Sequence, residues 1–175
     1  LLFQQYKMNK IVKANSQEYF RTKQDLGIGL SFSSPSYFFN NRLNGVKAAA
    51  LGKGETKNEY IRRLAAIAKD VIRNSKPEAY HIMIFGTQDD SPVIQQVLMY
   101  ENAMNKLGLK MNGYKIYNPH EAEAICVFSK NDVKVELPDF KKIQDYTLDS
   151  AYGVTAKPVN EWAIKNFSKK GDLVV

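Results

Sequence analysis

The sequence predicts an α/β protein, one sheet with helices on both faces. Segments with apolar residues at helical spacing, 58–74 and 91–107, alternate with short apolar runs, 79–85 and 123–130, the pattern of strands joined by helices. Proline and glycine stand at the joints between them, as at Lys76-Pro77, Pro92 and Gly108. At 175 residues and 44% hydrophobic content the chain suits one domain with a core of ordinary size, so 1–175 are read as a single domain. Residues 1–7, ahead of Met8, are set apart as an appended remnant or the tail of an upstream segment.

Taken in order, residues 10–14 (Lys-Ile-Val-Lys-Ala) make a short strand, and Asn15 or Ser16 caps a short helix over 17–22. Gly27-Ile28-Gly29-Leu30-Ser31-Phe32-Ser33 is apolar enough for a second strand despite its glycines. It stops at Ser34-Pro35-Ser36-Tyr37, because proline cannot donate to a strand ladder. Residues 38–57 hold several Asn and Gly without periodicity and read as a long mobile loop, and loops of that length are usually functional. Over 58–74, Tyr60, Ile61, Leu64, Ile67, Ala68 and Val71 recur on one helical face with Arg62, Arg63, Lys69 and Arg73 opposite.

Ser75-Lys76-Pro77 is expected to end that helix, 79–85 to form a buried strand and 86–90 a turn. The helix over 91–107 has Ser91 as its cap, Pro92 in its first turn and Gly108 as its stop. Residues 113–117 and 123–130 read as an antiparallel pair of strands, and 131–153 as charged and irregular with a short strand at 133–137. Lys157-Pro158 opens a last helix over 159–167, and 171–175 begin another strand. There is no internal repeat and no low-complexity tract.

Composition narrows the function classes. Lys and Arg number 25 against 18 Asp and Glu, a formal charge of +7, which favours a polyanion through phosphate neutralisation and equally describes a solvated basic surface. One cysteine, Cys126, excludes an internal disulfide framework and a cysteine-based zinc site; it lies in an apolar run and reads as a core residue. His81 lies inside an apolar strand and reads as a core histidine, so no metal is expected. No apolar stretch approaches the roughly 20 residues needed to cross a bilayer, and a soluble cytoplasmic protein is expected.

The chemistry concentrates at Ser34-Pro35-Ser36-Tyr37, a polar residue, a rigid proline and an aromatic at the carboxyl end of a strand. Ligands of open α/β sheets bind beyond such ends, and the same four residues also suit a plain strand-ending turn. The tetrapeptide resembles the catalytic motif of the DNA amino-methyltransferases, in which Asp, Asn or Ser is followed by Pro-Pro and an aromatic. The resemblance implies that Ser34 accepts hydrogen bonds from the target amine, Pro35 stiffens the loop and Tyr37 stacks on an extruded base. Ser36 stands where the family has a second proline, which restores a backbone N–H and some freedom.

The flanks extend the resemblance over nearly the whole chain. Residues 11–20 are similar to the segment preceding the family's catalytic strand, which ends at a polar residue near the cofactor; Asn15 holds that position here, where it also serves as a helix cap. Asn118-Pro119-His120-Glu121 before the apolar run 123–130 looks like the family's late strand, or a surface turn. Lys157 and Pro158, followed by Gly171-Asp172 and an apolar strand, look like the family's Lys-Pro helix and cofactor strand, where a cation and a helix start suit a carboxylate.

The resemblance implies a single Rossmann-like methyltransferase domain that transfers methyl from S-adenosylmethionine to an exocyclic amine of adenine or cytosine in double-stranded DNA. It also implies a place in restriction–modification, in a bacterial, archaeal or phage-infected cell. In family members of this permuted order the strand at Gly171 leads into a glycine-rich turn that wraps the cofactor. The chain stops at Val175, so the domain is expected to be incomplete at its cofactor-binding end, with the turn carried by a complementing chain or segment. The alternative is a catalytically inactive relative serving as a DNA-binding or assembly subunit.

Overall fold

The computed structural model describes residues 16–35, 56–86, 92–117, 123–139 and 157–175. Helix α1 (Ser16–Arg21) leads to strand β1 (Ile28–Ser33), then helix α2 (Lys57–Arg73), strand β2 (Ser75–Gly86) and helix α3 (Ile94–Lys106). Strands β3 (Lys110–Tyr117) and β4 (Glu123–Ser129), helix α4 (Lys157–Phe167) and the short strand β5 (Leu173–Val174) complete the order. The strands lie as β3-β4-β2-β1-β5. Strand β1 pairs parallel with both β2 and β5, while β4 runs antiparallel to β2 and β3.

Helices cover both faces, as the sequence predicts. On one face Tyr60 and Leu64 of α2 and Val97, Tyr100 and Met104 of α3 bury against Phe85, Cys126 and Phe128. Edge-to-face ring pairs, Phe85–Tyr100 at 5.1 Å and Tyr100–Phe128 at 5.5 Å, lie at the centre of that layer. On the other face Val159, Ala163 and Phe167 of α4 pack on Leu30, Ile82, Ile84 and Val127. Cys126 is fully buried, as expected of a core residue, and burial pushes its thiol well above the usual range.

Helix ends follow local chemistry. Thr56 caps α2, its hydroxyl accepting from the Glu59 N–H while the Glu59 carboxylate accepts from the Thr56 N–H, a reciprocal capping box. Gly108, at φ +81°, ends α3: its own N–H donates to the Asn105 carbonyl, and the N–H of Leu109 donates to that of Met104. The start of α3 differs from expectation. The helix begins at Ile94 with Val93 as a cap that offers no side-chain bond, and the carbonyls of Pro92 and Val93 accept the N–H groups of Gln95, Gln96 and Val97 instead. Ser91 lies outside the described residues, as do the strand expected at 10–14, the loop at 38–55 and most of the turn at 86–90.

Two further expectations change once the sheet is assembled. Ser75-Lys76-Pro77 does not merely end α2 but starts the twelve-residue β2. The register jumps from Ile28↔Ser75 to Leu30↔Tyr80, so five steps along β2 answer two along β1, and Pro77 sits in that excursion where no ladder donor is missed.

Residues 133–137 form no strand. That segment is pinned beside β3 by the Val135 N–H on the Asn112 carbonyl (2.9 Å), the Asn112 amide on Asn131 (2.6 Å) and the Tyr117 hydroxyl on Pro138 (2.9 Å). The close approach needs Gly113, where a side chain would run into the Val135 carbonyl. Gly113→Ala is therefore expected to destabilise the fold by roughly 1–3 kcal/mol. Calorimetry should read this as a melting temperature lower by about 2–4 °C per kcal/mol.

Candidate active site

Because β1, β2 and β5 are parallel, their carboxyl ends share one edge of the sheet. Ser34 and Pro35 leave the tip of β1 at that edge, both half-buried. Helix α4 feeds β5 and so runs counter to it, which carries its first residues, Lys157 and Pro158, toward the same edge. Phe167, at the far end of α4, packs its ring on Tyr80 at 5.0 Å, level with Leu30 in the strand register. Ten helical steps cover about 15 Å and four strand steps about 13 Å, so the start of α4 and Ser34 reach similar heights.

Of the residues predicted for the site, Ser34, Pro35 and Pro158 are described, with Pro158 half-buried in the first turn of α4; for Lys157 the backbone alone is described. Asn15, Ser36 and Tyr37 lie outside the described residues, as do His120 and Glu121.

A cavity of about 220 Å³ opens between α1, α2 and the sheet. Leu64, Ile67, Ala68 and Val71 of α2 form one wall, Met83 and Phe128 part of the floor, and Ser16, Phe20 and Val175 the side next to β5. Phe32, Ser33 and Pro35 line it as well, whereas Ser34 does not.

The wall made by α1 is held from α2. The Arg73 guanidinium donates to the carbonyls of Phe20 and Arg21, each at 3.1 Å, and the Asn74 amide adds a third bond to Phe20. Arg73 is itself aligned by Asp70 at 3.0 Å.

Ser31 and His81, cross-strand partners in the β1–β2 register, form the polar part of the cavity floor. The Ser31 hydroxyl and His81 Nδ1 are 2.8 Å apart, with the tautomer deciding which of them donates. Burial, and then the charge of Lys130, push the His81 pKa down to about 4, so the ring is neutral at ordinary pH. The sequence marks His81 as a core residue and misses its place in a cavity. The available signal was a serine at position 31 inside an apolar strand, but only the strand register shows that it meets His81. Among the described residues no group of His, Cys, Asp and Glu side chains is placed to hold a metal, and no helix is long and apolar enough to cross a membrane.

The neutral histidine makes stability pH-dependent in a defined window. An unfolded histidine titrates near its ordinary value of about 6.5, so as the pH falls from there toward 4 the unfolded chain takes up a proton that the folded chain refuses. This contribution is present above about pH 6.5 and is lost by about pH 4, with a magnitude on the order of 3 kcal/mol. Denaturant titrations at pH 7 and pH 4.5 should show a smaller acid-induced loss in His81→Gln than in the native chain.

No protein-family model matches the chain, and no curated protein matches it in sequence. Solved structures match its fold. One is TTHA0409 of Thermus thermophilus, assigned as a DNA modification methylase and solved with S-adenosyl-L-methionine, at a TM-score of 0.58 and 15% identity over 91% of this chain and 75% of that one. Its selenomethionine form matches at a TM-score of 0.59. Another is the cytosine-N4-specific PvuII DNA methyltransferase, at a TM-score of 0.58 and 17% identity over 92% of this chain and 71% of that one. The mixed five-stranded sheet with helices on both faces is thus the fold of DNA methyltransferases.

Proposed function

We propose that the chain is the catalytic domain of a DNA methyltransferase that uses S-adenosylmethionine to modify an exocyclic amine of adenine or cytosine, with the target base swung out of the duplex. The observation that carries this reading is the position of Ser34-Pro35: a polar residue and a proline at the carboxyl end of a central parallel strand, beside a cavity, in a fold shared with DNA methyltransferases over nine-tenths of the chain. The Ser34 hydroxyl and a neighbouring backbone carbonyl accept the hydrogens of the amine and so free its lone pair for attack, Pro35 holds the loop in one conformation, and Tyr37 stacks on the everted base.

When bound, the cofactor supplies an electrophilic methyl group. The cavity suits its purine. A space of about 220 Å³ exceeds the roughly 150 Å³ that accommodates benzene in an apolar protein cavity, and its walls are apolar save for Ser31, His81 and the serines at its rim. Lys157 and Pro158, at the start of α4, are the proposed seat of the carboxylate, and Asn15 a further polar contact. The formal charge of +7 supports duplex DNA as the partner, through its phosphates. Such an activity fits the modification arm of a restriction–modification pair within a cell. The presence of Ser36 where a second proline would stiffen the motif favours a second reading, a DNA-binding or assembly subunit without catalysis.

Transfer of labelled methyl from S-adenosylmethionine to duplex DNA separates the two. Ser34→Ala is expected to lower turnover by roughly 100- to 1000-fold, the cost of removing one preorganised polar contact. Tyr37→Ala is expected to lower it by about 10- to 100-fold through lost base stacking. Ser36→Pro should raise turnover. Undiminished transfer by Tyr37→Ala removes the stacking role, and DNA retention without any transfer by the native chain supports the second reading.

A further inference from the structure

Helix α2 holds five cations, Lys57, Arg62, Arg63, Lys69 and Arg73, against two acids, Glu59 and Asp70, a net +3 of the chain's +7. Both acids are engaged. The Glu59 carboxylate accepts the Thr56 N–H and hydroxyl in the capping box, and Asp70 pairs with Arg73 at 3.0 Å. Arg62, Ala66, Lys69 and Arg73 are exposed and stand four, three and four residues apart, which sets them in one row along the helix. The short Ala66 side chain leaves the middle of the row open to close approach. The Arg73 guanidinium is taken up by Asp70 and the carbonyls of Phe20 and Arg21, whereas Arg62 and Lys69 form no ion pair with any described residue.

We propose that the outward face of α2 is a phosphate-contacting surface for duplex DNA, separate from the candidate active site, with Arg62 and Lys69 as its principal contacts. Duplex DNA as the occupant rests on the methyltransferase reading above. Helix α2 starts at the carboxyl edge of the sheet, where Ser34 and Pro35 lie, and carries the chain to the start of β2 at the opposite edge. Arg62 is about 8 Å along α2 from its first residue and Lys69 about 18 Å, so the row leads away from the proposed reacting amine along the flank of the domain. The two cations are about 10 Å apart along the axis, the rise of three phosphates on one strand at about 3.4 Å each. The neighbouring α3 exposes Gln95, Leu98, Asn102, Asn105 and Lys106, so a duplex laid against α2 meets no exposed carboxylate on that side. Phosphate contacts of this kind carry no sequence information; they hold the duplex in place while base-directed contacts form elsewhere.

The test is the salt dependence of binding, read by fluorescence anisotropy as the full chain is titrated into a short labelled duplex. Arg62→Gln and Lys69→Gln are each expected to lower the slope of log affinity against log salt by about 0.9, and together by about 1.8, equally for unrelated sequences. Arg62→Lys combined with Lys69→Arg should keep the native slope. Lys165→Gln, exposed on α4 across the sheet, controls for overall charge and should leave the slope unchanged. Calorimetric melting checks that each variant folds, and if the double variant does not, the slopes of the single variants decide. A folded double variant with the native slope overturns the proposal. So does an equal fall in Lys165→Gln, which would assign the effect to overall charge. A native chain that binds single-stranded RNA or anionic vesicles but not the duplex overturns the occupant. Duplex binding with the expected slopes but no methyl transfer supports the surface and removes the methyltransferase reading instead.

Discussion

The site depends on β1 being held on all four sides. Its backbone pairs with β2 along one edge and β5 along the other, and its side chains are packed on both faces of the sheet. Ile28, Gly29 and Leu30 are fully enclosed, and a side chain at Gly29 would overlap the Asp172 carboxylate. A strand constrained in this way delivers Ser34 and Pro35 to the sheet edge from a rigid base, which a catalytic or binding constellation needs from its supporting shell.

The two edges of the sheet are built differently. At the edge where the parallel strands begin, polar side chains act as ties. Lys76 pairs with Asp172 at 2.6 Å, Asp172 also accepts the Lys169 N–H, and the Asn74 carbonyl accepts the Ile28 N–H while its amide holds α1. These bonds join α1, α2, β1, β2 and β5 around one corner. The opposite edge has half-buried Ser34, Pro35 and Pro158 and the mouths of two crossover connections. The polar ties thus lie where the parallel strands begin, and the candidate site lies at their carboxyl ends, where ligands of open α/β sheets bind.

The ties have a consequence for the cavity. Arg73 and Asn74 belong to the end of α2, yet the carbonyls they bind belong to α1, whose Ser16 and Phe20 form a wall of the cavity. The same helix therefore supplies one wall directly through Leu64, Ile67, Ala68 and Val71 and secures another through its last turn. A six-residue helix such as α1 is too short to be stable alone, so its position is set by these contacts rather than by its own sequence.

Much was legible in the residues themselves. The apolar stripe from Tyr60 to Val71, the glycine that stops α3, the antiparallel pair formed by β3 and β4, and the end of β1 before Ser34-Pro35 are all encoded by neighbours within a few positions, where periodicity and turn chemistry act. Tertiary structure alone decided the rest. Pro77 lies within a strand because β1 and β2 change register there, and 133–137 is a pinned segment because Gly113 admits a carbonyl in place of a strand neighbour. Ser31 and His81 are 50 residues apart and Lys76 and Asp172 are 96 apart, so no local signal joins them. Strand register and helix packing bring such groups together, and these depend on how all the apolar surfaces are buried at once.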